Sequence, residues 1–347
     1  MNQESANPGA SGAAAAVLAP AIERRAIKRS APSQAWYFVR RWPLIPMFFL
    51  TLLLVAGLFA PWIAPNDGEQ QKLGFRLLEP TWGTSSPNNV EPNPADYDLE
   101  TTAGRSAYNS AKQNYFPRSQ YILGGDNLGR DVLSRTIWGA RISLQVVAIA
   151  LFSGTIIGTA MGLAAGYFGG WIDEVLMRFV DMWLALPFIL IALVVAITLG
   201  TSTGVVMVLL AMLAWTPFVR QVRADALRIR NQEYVLASRI GGGGWVRILW
   251  KHVLPGTYST VLVVASLRVG GLILAESILS FLGVGIPDPI PAWGKMVSEG
   301  RPYIEQAWWV TVIPGGAIFL VVLSLNFFGD WLRDRLDPRL MNIASPG

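Results

Sequence analysis

The chain has 347 residues, 52% of them hydrophobic and only 15% charged, with a net charge of +5. Soluble domains carry about a quarter charged residues, so this depletion and the long apolar runs indicate an all-α integral membrane protein. The absence of cysteine excludes disulfides, thiolate metal sites and cysteine nucleophiles, and the single histidine, His252, excludes a histidine-based metal cluster. In such a chain the basic excess belongs to cytoplasmic loops, and no nucleic-acid partner is expected.

Residues 1–42 form a polar, alanine-rich tail whose basic residues (Arg24, Arg25, Lys28, Arg29, Arg40, Arg41) follow its small-residue run, the reverse of a cleaved signal. The first membrane helix is expected within 43–64, on 44-LIPMFFLTLLLVAGLFAPWI-63. Later apolar runs at 142–168, 179–199, 203–219, 258–283 and 306–329 bring the expected spans to six, the fourth being short and ending at Pro217. Between the first and second spans, 65–140 reads as an external loop. Its turn-rich stretch 80–97 is read as an ordered loop or lid, and an amphipathic surface helix near 126–141 feeds the second span. The core is then 141–330, with a cytoplasmic loop at 220–256 and a tail at 331–347. Basic residues concentrate in the first tail and in 220–256, whereas acidic residues balance them in 64–141. Both termini are therefore expected in the cytoplasm.

In the second span Gly154, Gly158, Gly162 and Gly166 recur every fourth residue, a stripe that lets two helices touch backbone to backbone. Static packing and a sliding helix both use such a stripe. Charges inside spans are costly and need a reason. Arg178 and Asp181 lie one turn apart and are read as a local pair. Arg268 and Glu276 are eight residues apart in the fifth span, and each needs a partner on another helix, another subunit or the transport pathway. No Ser/His/Asp set or carboxylate pair offers a catalytic centre, and no phosphate-binding loop is present, since the glycines of 241–244 lead into Trp245-Val246-Arg247.

The loop 231-NQEYVLASRIGGGGWVRILWKHVLPG-256 reads as a short helix, a glycine turn and a second helix ended by Pro255. Such a knob suits either insertion into a partner's cleft or an interfacial position on anionic lipid, and composition leaves both open. The stretch resembles the EAA loop of binding-protein-dependent ABC importer permeases. Leu236-Ala237-Ser238 stand at its first positions, Gly242 at its glycine, His252 at its Ile and Leu254-Pro255 at its end, with the spacing kept; Leu236, Ser238 and His252 depart from the pattern. The segments 123–144, 164–187, 280–297 and 329–339, with Glu233-Tyr234-Val235 and Arg239, are similar to the C-type permeases of dipeptide and oligopeptide systems.

That resemblance implies a type I ABC importer permease with six transmembrane helices, no catalytic site, and no cofactor of its own, ATP and Mg being held by partner ATPases. It implies a B-type permease partner, two ATPase subunits, an external peptide-binding protein and surrounding lipid. ATPase docking would fall to Glu233, Tyr234, Ala237, Ser238, Arg239 and Gly242, with Leu254 and Pro255 setting the return to the membrane. The outer turn at 283–297 and the helix near 126–141 would be contacts for the binding protein, and the substrate stays open among peptides, nickel chelates and some sugars. The alternative is an ion-coupled secondary transporter using Arg268 and Glu276.

Overall fold

The computed structural model describes residues 43–82, 92–113 and 121–336, so the N-terminal tail, the centre of the 80–97 stretch and residues 337–347 lie outside the described residues. In chain order the helices are α1 (Leu44–Ile63), α2 (Thr102–Gln113), α3 (Val132–Phe168), α4 (Gly170–Ala185), α5 (Phe188–Leu199), α6 (Thr203–Ile229), α7 (Glu233–Ile240), α8 (Trp245–Ile248), α9 (Leu254–Phe281), α10 (Trp293–Gly300) and α11 (Trp309–Leu336). No strand occurs among the described residues.

The packing is organised by the glycine stripe of α3. All four glycines are buried against α6. A Cβ on Gly154 would lie 2.4 Å from the Cβ of Ala214, one on Gly158 2.3 Å from the Trp215 carbonyl, one on Gly162 2.8 Å from the Val219 carbonyl, and one on Gly166 2.6 Å from the Cβ of Ala226. These are contacts of bare glycine backbone with the backbone and alanine β-carbons of α6, where dispersion across a close interface substitutes for the hydrophobic drive that lipid does not supply.

Gly154 faces Ala214 and Gly166 faces Ala226, so α3 and α6 run parallel. The chain must therefore travel the full length back between them. α4 and α5 make that return, bent by 78° at their junction, and as one crossing they complete six with the five long apolar helices. The span expected at 179–199 is a broken one. Pro187 pushes Leu186 into an extended conformation (ψ 127°), which no helix continues.

Five other expectations are corrected. The helix near 126–141 is no separate surface element: Val132 onward belongs to the 37-residue α3, with Val132, Ser134, Arg135, Gly139 and Ala140 buried in protein. At about 55 Å, α3 is far longer than a hydrocarbon core of ~30 Å, so it extends beyond the bilayer. α6 does not stop at Pro217 but runs through it to Ile229. Trp183 donates to the Met212 carbonyl at 3.1 Å, next to the carbonyl that the proline leaves free. The helix of 245–255 does not end at Pro255 either; a π-turn at Leu249–Val253 widens the backbone just ahead of the proline, and the helix is continuous from Trp245 to Phe281. Finally, 331–336 are not tail but the last turns of α11, and α2 is a helix in a segment where none was read.

Any side chain larger than hydrogen on the stripe must part α3 from α6. Gly158→Leu should cost at least the ~1–3 kcal/mol of an overpacked core. Folded, monodisperse protein after detergent extraction should fall sharply, and a wild-type yield and melting temperature for this variant would refute the packing account.

Candidate functional site

α7 and its glycine turn sit at the end of the bundle where α3 and α6 both finish. Val235 is fully buried in a small core with Tyr167, Ala226, Ile229, Ile248 and Val253, so the knob is anchored by one side chain among residues from α3, α6, α8 and the π-turn. The opposite face is exposed: Tyr234 51%, Leu236 42% and Ile240 88%. Glu233 in the first turn and Arg239 in the last suit the helix dipole. Two ring contacts hold the ends, Tyr234 with His252 at 5.9 Å and the Arg239 guanidinium over Tyr167 at 5.8 Å. Arg230 donates to the Gly166 and Tyr167 carbonyls at 3.0 and 3.3 Å, joining the end of α6 to the end of α3.

The four glycines have unequal roles. Gly242 adopts φ +83°, a left-handed conformation that disfavours a side chain, and a Cβ on Gly243 would lie 2.7 Å from the Ser238 carbonyl. Gly241 has φ −70° and room for a Cβ at ordinary contact distance, and Gly244 has φ −64° with open space, so neither position demands glycine. The structure thus gathers Glu233, Tyr234, Ala237, Ser238, Arg239 and Gly242 on one protruding element. Leu254 and Pro255 begin α9 directly behind it.

Charges on α4 and α6 brace this end. Asp173 receives a two-pronged hydrogen bond from Arg223, its second prong 2.7 Å. Arg178 does not pair with Asp181: it bonds Glu174 at 2.7 Å, four residues back on its own helix, while Asp181 accepts from Arg220 of α6 at 2.7 Å. Arg268 and Glu276 lie elsewhere and apart. Glu276 is fully buried and accepts from Ser280 at 2.7 Å, Ser143 of α3 at 3.3 Å and Ser277 at 3.5 Å, a cross-helix bond between α9 and α3. Arg268 is half-buried, and its Nε has no hydrogen-bond partner among the described residues.

At the other end of α3 stands a cluster that sequence reading missed. Asp126 accepts from Arg130 Nε at 2.6 Å and Arg135 Nη1 at 2.5 Å, and Glu299 of α10 accepts from the same two arginines at 2.6 and 2.9 Å. Arg130, Arg135 and Asp126 are at most 1% exposed. Asp131 caps α3 through the amides of Leu133 and Ser134 and also accepts from Asn66, which follows α1. Burial, then the charges of Asp131 and Asp126, push the Tyr121 phenol up to about 12, so it stays a neutral donor to the Gly129 carbonyl. The only signal in the sequence was the charge density of 126-DNLGRDVLSR-135; Glu299 is separated from Arg130 by 169 residues.

Residues 154–342 match the family of binding-protein-dependent transport system inner membrane components. The chain belongs to this family. Among its relatives, the di/tripeptide transport system permease protein DppC of Pseudomonas aeruginosa is 37% identical over 86% of this chain and 88% of its own. The dipeptide permease DppC of Haemophilus influenzae is 33% identical over 88% and 94%. The glutathione transport system permease protein GsiD of Escherichia coli is 38% identical over 84% of each chain. The permease is therefore a multi-pass inner-membrane subunit of an ABC transport system, and its relatives give the ion-coupled alternative no support.

The buried cluster makes its own prediction. Glu299→Gln removes one carboxylate from two buried guanidinium groups and leaves them Asp126 and, 4.0 Å from Arg130, the exposed Asp288; breaking such buried pairs costs about 3–5 kcal/mol. Thermal unfolding of the detergent-solubilised permease should shift downward markedly; an unchanged transition would show the cluster to be solvated.

Proposed function

We propose that this permease passes di- or oligopeptides into the cytoplasm, and that α7 with its glycine turn is the element a partner ATPase moves. One observation carries the mechanical reading. The knob is fixed to the protein by the buried Val235 on one side, presents Tyr234, Leu236 and Ile240 on the other, and leads within four residues into a helix unbroken from Trp245 to Phe281. A displacement of α7 is thereby delivered along the axis of α9, a rigid lever across the membrane. Gly242 and Gly243 keep the turn tight enough for this, because their hydrogen bonds to the Arg239 and Ser238 carbonyls (3.1 and 2.9 Å) close it on itself.

The peptide reading is supported by the printed substrates of the relatives, dipeptides, tripeptides and glutathione, all short molecules with peptide bonds. In this reading the chemistry lies outside the chain. ATP and Mg bind two ATPase subunits, a B-type permease completes the pathway, an external peptide-binding protein delivers the substrate, and both termini face the cytoplasm. Glu233, Tyr234, Ala237, Ser238 and Arg239 form the docking surface, and Leu254 and Pro255 direct the return to the membrane.

The lack of cysteine makes a direct test available. With Ala237→Cys and a second cysteine in the cleft of the ATPase co-expressed with the permease, crosslinking should occur and its yield should change when ATP is added. Absence of any crosslink in a folded, assembled complex would refute the docking role.

A further inference from the structure

Beside the knob, two cavities of opposite character share a wall. The first, of about 480 Å³, is lined by Tyr167, Phe168, Arg230, Asn231, Arg239 and Trp245. The second, of about 590 Å³, is an apolar groove between α3 and the α8–α9 helix, with Thr155, Thr159 and Leu163 on one side and Leu249, Leu254 and Tyr258 on the other. Phe168 and Trp245 line both, their rings 5.6 Å apart.

We propose that these cavities together bind one anionic phospholipid, its phosphate between Arg230 and Arg239 and an acyl chain in the groove. Both arginines lack an acidic partner among the described residues, and no acidic residue lines their pocket. Arg230 uses only Nη1 on the α3 carbonyls, and Arg239 lies over Tyr167, turned toward α3. Basic pockets between membrane helices select phosphate headgroups for this reason.

The groove has the length that a lipid needs. From Phe168 to Thr155 it follows thirteen residues of α3, about 20 Å of rise, against ~15 Å for half a hydrocarbon core. Trp245 at the junction sits where an amphipathic ring marks the membrane surface. A soluble phosphate would satisfy the arginines and leave the groove unfilled; a neutral lipid would fill the groove and leave the arginines unpaired. Because Arg239 belongs to α7 and Arg230 to the end of α6, the bound phosphate would tie the knob to the bundle.

The test is native mass spectrometry of the complex purified with its partner subunits, titrated with phosphatidylglycerol or phosphatidylcholine in detergent. A phosphatidylglycerol adduct that phosphatidylcholine does not displace is expected. Arg239→Gln should weaken it about fivefold, the scale of one basic side chain against an anionic lipid. Ala160→Phe, at an exposed position lining the groove, should abolish it without disturbing the core. Equal retention of both lipids, or full retention by both variants, would overturn the proposal. So would displacement by glycerol 3-phosphate at the same concentration, which would make this a free-phosphate site, and so would the absence of any adduct, which would assign the groove to a partner subunit.

Discussion

The contact between the glycine face of α3 and the backbone of α6 is the constraint on which the rest of the structure depends. Two helices in lipid gain little from burying apolar surface, so they must gain it from proximity, and four glycines at one spacing give the closest approach available. Because the contact is parallel, α4 and α5 have to return the chain across the membrane, and the ends of α3 and α6 finish side by side. That adjacency places the Gly166 and Tyr167 carbonyls within reach of Arg230 and creates the floor on which Val235 is seated.

The two ends of α3 are secured by different physics. One end is locked by Arg130, Arg135 and Asp126, which are almost completely buried, with the partly buried Glu299 closing the cluster. The other end carries α7, which is held by a single buried valine and two ring contacts beside the arginine that joins α6 to α3. The second kind of attachment gives way more readily, since local openings draw on regions with few buried contacts. The long α9 crosses between these regimes. It begins behind the knob and is tied to α3 near its far end by Glu276 and Ser143.

The broken α4–α5 segment is the irregular part of the bundle. Two of its carboxylates are satisfied across helices, Asp173 by Arg223 and Asp181 by Arg220, so α4 is bound to α6 where the knob begins. The bend at Pro187 then redirects an apolar segment too short to span alone.

Patterns local to the chain were legible from residues alone. The apolar runs announced the crossings, the four-residue period announced the α3 contact face, and glycine after 233-EYVLASRI-240 announced the turn, because each signal repeats within a few residues. The motif at Leu236 to Pro255 marked the family for the same reason. Proline proved ambiguous. Pro217 and Pro255 look alike as helix stops, yet neighbouring helices and a π-turn accommodated both, while Pro187 broke its span. What only the tertiary structure decided is partnership across distance: which helix the glycines touch, that Arg178 turns to Glu174 and Asp181 to Arg220, and that Glu299 closes a cluster 169 residues away. A one-dimensional pattern states what a residue needs, a close surface or an opposite charge. The folded arrangement alone determines which of several suitable partners comes within reach.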